Sequence, residues 1–159
     1  MADNKAVNPL NFERQLEVIA EQYPMLRIID EEGKLEDEAL FKELDLSDDE
    51  LTDIMEKMVW ARTYNDRTER LAKQGRLGFF APVEGQEASQ IGSILAFDRG
   101  DYLLPGYRDV PQMVYHGMPL YQSYLWSRGH VEGNNYPEGV NLAPPQIIIG
   151  AQIIQAAGV

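Results

Sequence analysis

The residues best suited to chemistry stand in three stretches. The first is Arg76-Leu77-Gly78-Phe79-Phe80-Ala81-Pro82, which leads into Gly85-Gln86-Glu87-Ala88. The second is Leu103-Leu104-Pro105-Gly106-Tyr107-Arg108-Asp109, and the third is Pro144-Pro145-Gln146-Ile147-Ile148-Ile149-Gly150-Ala151-Gln152. Pro105-Gly106 marks a turn, so Tyr107 and Arg108 stand at its exit. A guanidinium fork matches two phosphate oxygens, but an Arg in a turn can equally be a plain surface residue. Isoleucines such as 147–149 can likewise simply open a core helix.

Other chemistry is thinly represented. There is no G-x-S-x-G, H-E-x-x-H, P-loop or G-x-G-x-x-G pattern. His116 and His130 are the only histidines, and the chain has no cysteine. His116 precedes Gly117 near an expected helix end, where a cation suits the helix dipole. His130 lies in a Gly-rich loop and reads as an exposed loop residue, with contact to substrate or partner as the alternative. Two histidines without nearby cysteines or paired carboxylates offer no metal site.

The elements that must position these residues follow from spacing. Residues 11–23 read as a short amphipathic helix, with Asn11 as cap, Phe12, Leu16, Ile19 and Ala20 on one face, and Pro24 as limit. Residues 27–35 resemble two short strands about a turn at Gly33, and 36–46 read as loosely helical. Ser47-Asp48-Asp49-Glu50 is a capping box. Leu51, Ile54, Met55, Met58 and Val59 then form an apolar stripe, and the helix runs to about Gln74 with Gly75 as its stop. Further helices are expected from Gly85 to about Phe97, near 110–116 and near 119–128, with a strand at Asp101–Leu104. Residues 129–144 form a long loop of the kind that is usually functional or mobile. The last fifteen residues, PQIIIGAQIIQAAGV, form an apolar run that begins like a buried helix. It has no polar stop, so the chain is expected to be a fragment.

Composition narrows the function classes. The sequence is 44% hydrophobic and 25% charged, within the range of globular proteins. Its net charge of −12 is unevenly placed: residues 1–56 hold 17 Asp and Glu against 5 Lys and Arg, whereas 57–159 hold 9 of each. Nucleic-acid binding requires clustered positive charge, so no nucleic-acid partner is expected. The acidic region reads as a solvated face, or as a dock for a basic partner. No 18-residue apolar run indicates a membrane span, and residues 1–20 lack the features of a secretory signal. The absence of cysteine fits a cytoplasmic protein.

Together, in order and at these separations, the three stretches resemble the alpha subunit of the decarboxylating component of 2-oxo acid dehydrogenase complexes, of the bacterial pyruvate dehydrogenase type. The resemblance runs from about Phe12 to Val159. It implies an α/β thiamine-diphosphate-binding fold, of which this chain would carry the N-terminal portion, mostly helical with few parallel strands. Residues 1–46 would be an acidic N-terminal extension, and 47–159 the N-terminal part of the cofactor-binding domain. It further implies that Tyr107 and Arg108 bind the cofactor diphosphate. Ile147 and Ile149 would cradle the aminopyrimidine through one carbonyl and one amide, an arrangement that suits extended backbone.

The reaction implied is oxidative decarboxylation of pyruvate with transfer of acetyl to lipoyl-lysine. The partners implied are a beta subunit, in a heterotetramer, and the lipoyl acyltransferase core. Magnesium would be held by a later motif that begins Gly-Asp-Gly and ends in Asn, before which this chain stops. The carboxylate that activates the cofactor would belong to the beta subunit, so the chain alone is expected to be inactive. One departure is Ala81, which stands where some members carry a substrate-contacting histidine. A branched-chain 2-oxo acid or acetoin dehydrogenase is the alternative within enzymes, and a non-catalytic interaction module the alternative outside them.

Overall fold

A computed structural model describes residues 12–23 and 25–159. The chain divides into two compact units with the boundary between Ser47 and Asp48.

The first unit contains α1 (Phe12–Gln22) and α2 (Glu38–Glu43). Between them Ile29 and Leu35 pair in a single antiparallel bridge. Two strands were expected here, but Asp30 competes for the backbone: its Oδ1 accepts the N–H groups of Glu32 and Lys34 at 3.0 and 2.7 Å. Such local side-chain bonds favour a turn over a ladder, and Gly33 closes that turn at φ +81°. Asp37 caps α2 by accepting Leu40 N–H at 2.9 Å. The expected cap Asn11 and terminator Pro24 lie outside the described residues.

The second unit is built from α3 (Asp48–Lys73), α4 (Glu87–Leu95), α5 (Val110–His116), α6 (Leu120–Ser127) and α7 (Ala151–Ala156). α3 ends where the glycine reading placed its stop, with Gly75 at φ +69°. Its buried face, however, is Ala61, Tyr64, Asn65 and Thr68. The earlier stripe is only half-buried or open, with Met55 and Val59 each 57% exposed. The spacing is helical in both cases, and the half of α3 that packs is the half that carries small and polar side chains. Tyr64, Val83, Ile94, Leu103, Val110, Met113, Met118 and Leu142 form the core. Trp60 stacks on Tyr64 at 5.8 Å and meets Tyr115 edge-on at 5.3 Å.

The strand expected at Asp101–Leu104 is reduced to isolated pairings. Leu103 pairs with Leu142 and Gly106 with Gln146, both parallel, and no strand forms among the described residues. Leu103 exchanges bonds with Asn141 O and Ala143 N at 2.9 Å each, and Gln146 N donates to Pro105 O at 3.1 Å. Pro105, Pro144 and Pro145 have no N–H to contribute, so a continuous ladder cannot form here.

The 129–144 loop is partly ordered by a single 3-10 turn, Val131–Asn134, seated on α6. Gly133 makes the seat possible, since a Cβ there would lie 2.4 Å from Trp126 N. The apolar C-terminal run also differs from expectation. Its helix begins at Ala151, after Gly150 at φ +86°, and it is not buried: Ile148, Ile149, Ile153 and Ile154 are each more than 70% exposed.

Candidate functional site

The site is organised by polar side chains buried in α3 and α4. Asn65 is 1% exposed, and its Oδ1 accepts the N–H of buried Val83 at 2.9 Å. Two residues on, Gly85 N–H donates to Glu87 Oε1 at 3.2 Å. Arg62 Nε binds the same oxygen at 2.5 Å. That hydrogen bond from Arg62, opposed by burial and aided by the local N–H groups, holds the Glu87 carboxyl below its ordinary value. The 82–87 segment is thus tied to α3 by an amide and an ion pair.

The segment before it is tied to α6. Phe79 N–H donates to Ser127 O at 3.0 Å, Ser127 Oγ donates to Phe79 O at 2.5 Å, and Arg128 donates to Arg76 O. Gly78 is required by this approach, since a Cβ there would stand 2.3 Å from Ser127 O. Phe79 then presents its ring edge-to-face to Tyr107 at 6.1 Å and to Trp126 at 5.7 Å. Behind these rings lies a cavity of about 20 Å³, lined in part by Tyr64, Thr68, Tyr107 and Tyr124. That is room for about one water, far too small for a cofactor. Tyr64 and Tyr124 stack at 6.4 Å, and burial first, then the neighbouring Tyr124, raises the Tyr64 phenol.

Tyr107 and Arg108 are both half-buried at the rim of this cluster. Arg108 Nη1 donates to Pro82 O at 2.6 Å, its guanidinium lies 5.2 Å from the Tyr107 ring centre, and its own carbonyl accepts Gln90 Nε2 at 3.0 Å. The turn is closed by Asp109, whose Oδ2 accepts Gly106 N–H at 2.7 Å. The Gly106–Gln146 pairing and a 3.3 Å bond from Gln152 Nε2 to Pro105 O set the third stretch beside this turn. The structure therefore sets the turn that carries Tyr107 and Arg108 beside Gln146, the residue before Ile147.

The third stretch is not extended throughout. Pairing ends at Gln146, and residues 147–150 bend into α7, with Ala151 N–H on Ile148 O at 3.2 Å. Ile147 and Ile149 are 58% and 85% exposed. Their N–H groups make no backbone hydrogen bond among the described residues. Side chains and amides are accordingly open to a ligand.

The histidines are not drawn in. His116 is buried at the end of α5, with Nε2 at 3.1 Å from both Asp101 O and Asn141 O. Both partners are acceptors, so this nitrogen carries the proton. His130 is exposed, and its Nδ1 accepts Glu132 N–H at 3.3 Å. Ala81 lines the small cavity. No group of three His, Cys, Asp or Glu side chains able to hold a metal ion occurs among the described residues. Nor is any helix among them long and apolar enough to cross a membrane.

Sequence reasoning missed Asn65 and Gln90. The available signal was their spacing: Asn65 falls on the Ala61–Thr68 face, and Gln90 beside Ile91 and Ile94.

Residues 55–159 match the family model described as Dehydrogenase E1 component. The chain belongs to this family. Among its relatives, the pyruvate dehydrogenase E1 component subunit alpha of Bacillus cereus is 54% identical over 149 residues, covering 94% of this chain and 40% of the relative. The protein of the same name from Staphylococcus aureus is 55% identical over 138 residues, covering 87% and 37%. That from Staphylococcus epidermidis is 54% identical over 138 residues, with the same coverage. This chain thus spans about two fifths of the length of the curated relatives it matches.

Proposed function

We propose that this dehydrogenase E1 component chain supplies the diphosphate and aminopyrimidine contacts of a thiamine-diphosphate-dependent pyruvate dehydrogenase alpha subunit. The observation that carries the reading is the Gly106–Gln146 pairing, which joins the turn before Tyr107-Arg108 to the residue before Ile147. The donor set fits the cofactor. Arg108 uses Nη1 on Pro82 O, and its other guanidinium N–H groups have no acceptor among the described residues, which leaves a fork for phosphate oxygens. Tyr107 offers a phenol at the same rim, and the Ile147–Ile149 segment offers open main-chain groups and aliphatic surface for a flat heterocycle.

When bound, thiamine diphosphate supplies the nucleophilic carbon and the electron sink for decarboxylation of a 2-oxo acid. This chain's part is to hold it. Arg108 places positive charge against the diphosphate, Tyr107 orients it, and Ile147 and Ile149 fix the pyrimidine end. Loss of carbon dioxide from pyruvate and passage of acetyl to lipoyl-lysine follow in the assembled enzyme. The names of the relatives favour pyruvate over a branched-chain 2-oxo acid or acetoin. Magnesium is proposed as the counter-ion of the diphosphate, held by groups other than those described here.

The assembly proposed is a heterotetramer with a beta subunit, docked on a lipoyl acyltransferase core in the cytoplasm. In it, residues 1–46 form an acidic extension, and 47–159 form the N-terminal part of an α/β cofactor-binding domain. Arg108→Ala in the assembled enzyme tests the reading. Loss of a charge-assisted bond to phosphate costs on the order of 1.5–3 kcal/mol, so the cofactor dissociation constant should rise roughly tenfold to a hundredfold. An unchanged constant would make Arg108 a plain surface residue.

A further inference from the structure

Gln90 lies in the middle of α4, 3% exposed, beside the buried Ile91 and Ile94. Burying a primary amide among apolar groups is unfavourable unless its hydrogen bonds are made. Gln90 makes only part of its set. Nε2 donates to Arg108 O at 3.0 Å and weakly to Gln86 Oε1 at 3.4 Å, while Oε1 has no partner. Both partners of Nε2 are acceptors, which fixes the orientation of the amide. An apolar side chain of similar length would avoid the orphaned oxygen. The amide at 90 is therefore kept with one end unpaired, and its strongest bond goes to one atom, the Arg108 carbonyl.

We propose that Gln90 is a positioning residue for the diphosphate contact made by Arg108. The inference rests on the functional reading above. Arg108 is tethered twice: its guanidinium to Pro82 O at 2.6 Å, and its main chain to Gln90. The guanidinium N–H groups not engaged on Pro82 O are the ones that face a phosphate, and they reach it by a small rotation of the head. The main-chain tether is independent of that movement, so the pivot of the side chain stays in place while its head takes up the phosphate. Without Gln90 Nε2, the Arg108 peptide could rotate, and the fork would reach the phosphate from a wider range of starting positions. Ordering it on binding would then oppose affinity.

The test uses the assembled enzyme carrying Gln90→Leu, Gln90→Met, Arg108→Ala and the double variant Gln90→Leu/Arg108→Ala. The dissociation constant of thiamine diphosphate with magnesium is read by titration calorimetry, and kinetics are run against cofactor concentration. Loss of one neutral hydrogen bond predicts a constant raised roughly threefold to tenfold in both Gln90 variants. The loss should fall on the cofactor KM rather than on kcat. In the Arg108→Ala background, Gln90→Leu should add nothing. If Arg108→Ala weakens binding but neither Gln90 variant does, the positioning role is wrong and the site reading stands. If Gln90→Leu weakens binding equally with and without Arg108, the amide acts elsewhere and the proposal fails. If Arg108→Ala leaves the constant unchanged, the site reading itself fails.

Discussion

Asn65→Leu isolates the contact that ties the site to α3. Asn65 and Val83 are each 1% exposed, and the Asn65 Oδ1–Val83 N–H bond of 2.9 Å is the acceptor for that amide. Leucine keeps the four-atom, γ-branched shape of the side chain, so the substitution removes the acceptor without leaving a cavity. The Val83 N–H is then buried without a partner, which costs about 1–3 kcal/mol. Asn65 Nδ2 contributes little to offset this, since its contact with Asp66 Oδ1 is long at 3.4 Å. For a domain of roughly 100 residues, such a loss lowers the melting temperature by about 4–8 °C per kcal/mol. It should also appear locally. Opening of the 82–85 segment becomes easier by the same free energy, so protection of the Val83 amide against hydrogen exchange falls by roughly 5- to 150-fold. Amide exchange combined with a thermal melt reads both effects. Unchanged protection at Val83, with an unchanged melt, would refute the claim that a buried side-chain acceptor holds this segment.

Acid should weaken the second tie. The Arg62 hydrogen bond holds the Glu87 carboxyl below its ordinary 4.5, so its stabilisation is full above that value and is lost as pH falls through the lower native one. Melts between about pH 5 and 3 should show a steeper fall for the parent than for Arg62→Met, and parallel curves would contradict this. The exposed Ile148, Ile149, Ile153 and Ile154 form apolar surface of the kind that drives association. The chain of 159 residues should elute as an associated species under light scattering, and Ile153→Lys with Ile154→Lys should shift it toward monomer. A monodisperse parent monomer would contradict this reading.

What was legible in the sequence was punctuation. Gly75 and Gly117 end helices at the positions their spacing indicated, and the three chemical stretches could be ordered along the chain before any geometry was known. The strand at Asp101–Leu104 was less legible because pairing depends on a distant partner, and both sides carry prolines that break the ladder. The apolar C-terminal run was legible as helix but not in its start, which Gly150 moves to Ala151, nor in its exposure, since an apolar run says nothing of what covers it. Least legible were Asn65 and Gln90. Periodicity is read from apolar residues, whereas these two define their faces through single hydrogen bonds to segments 18 residues away. The pairing of Gly106 with Gln146, which joins the second and third stretches across the 129–144 loop, is also a property of the fold.

The most direct test of the proposed cofactor site is a structure of the assembled enzyme with thiamine diphosphate and magnesium bound. Arg108 nitrogens should lie about 2.7–2.9 Å from diphosphate oxygens, the spacing of a charge-assisted bond, with Ile147 and Ile149 against the aminopyrimidine and the Gln90 bond to the Arg108 carbonyl kept. A diphosphate held elsewhere, with Arg108 still bound to the Pro82 carbonyl, would contradict it.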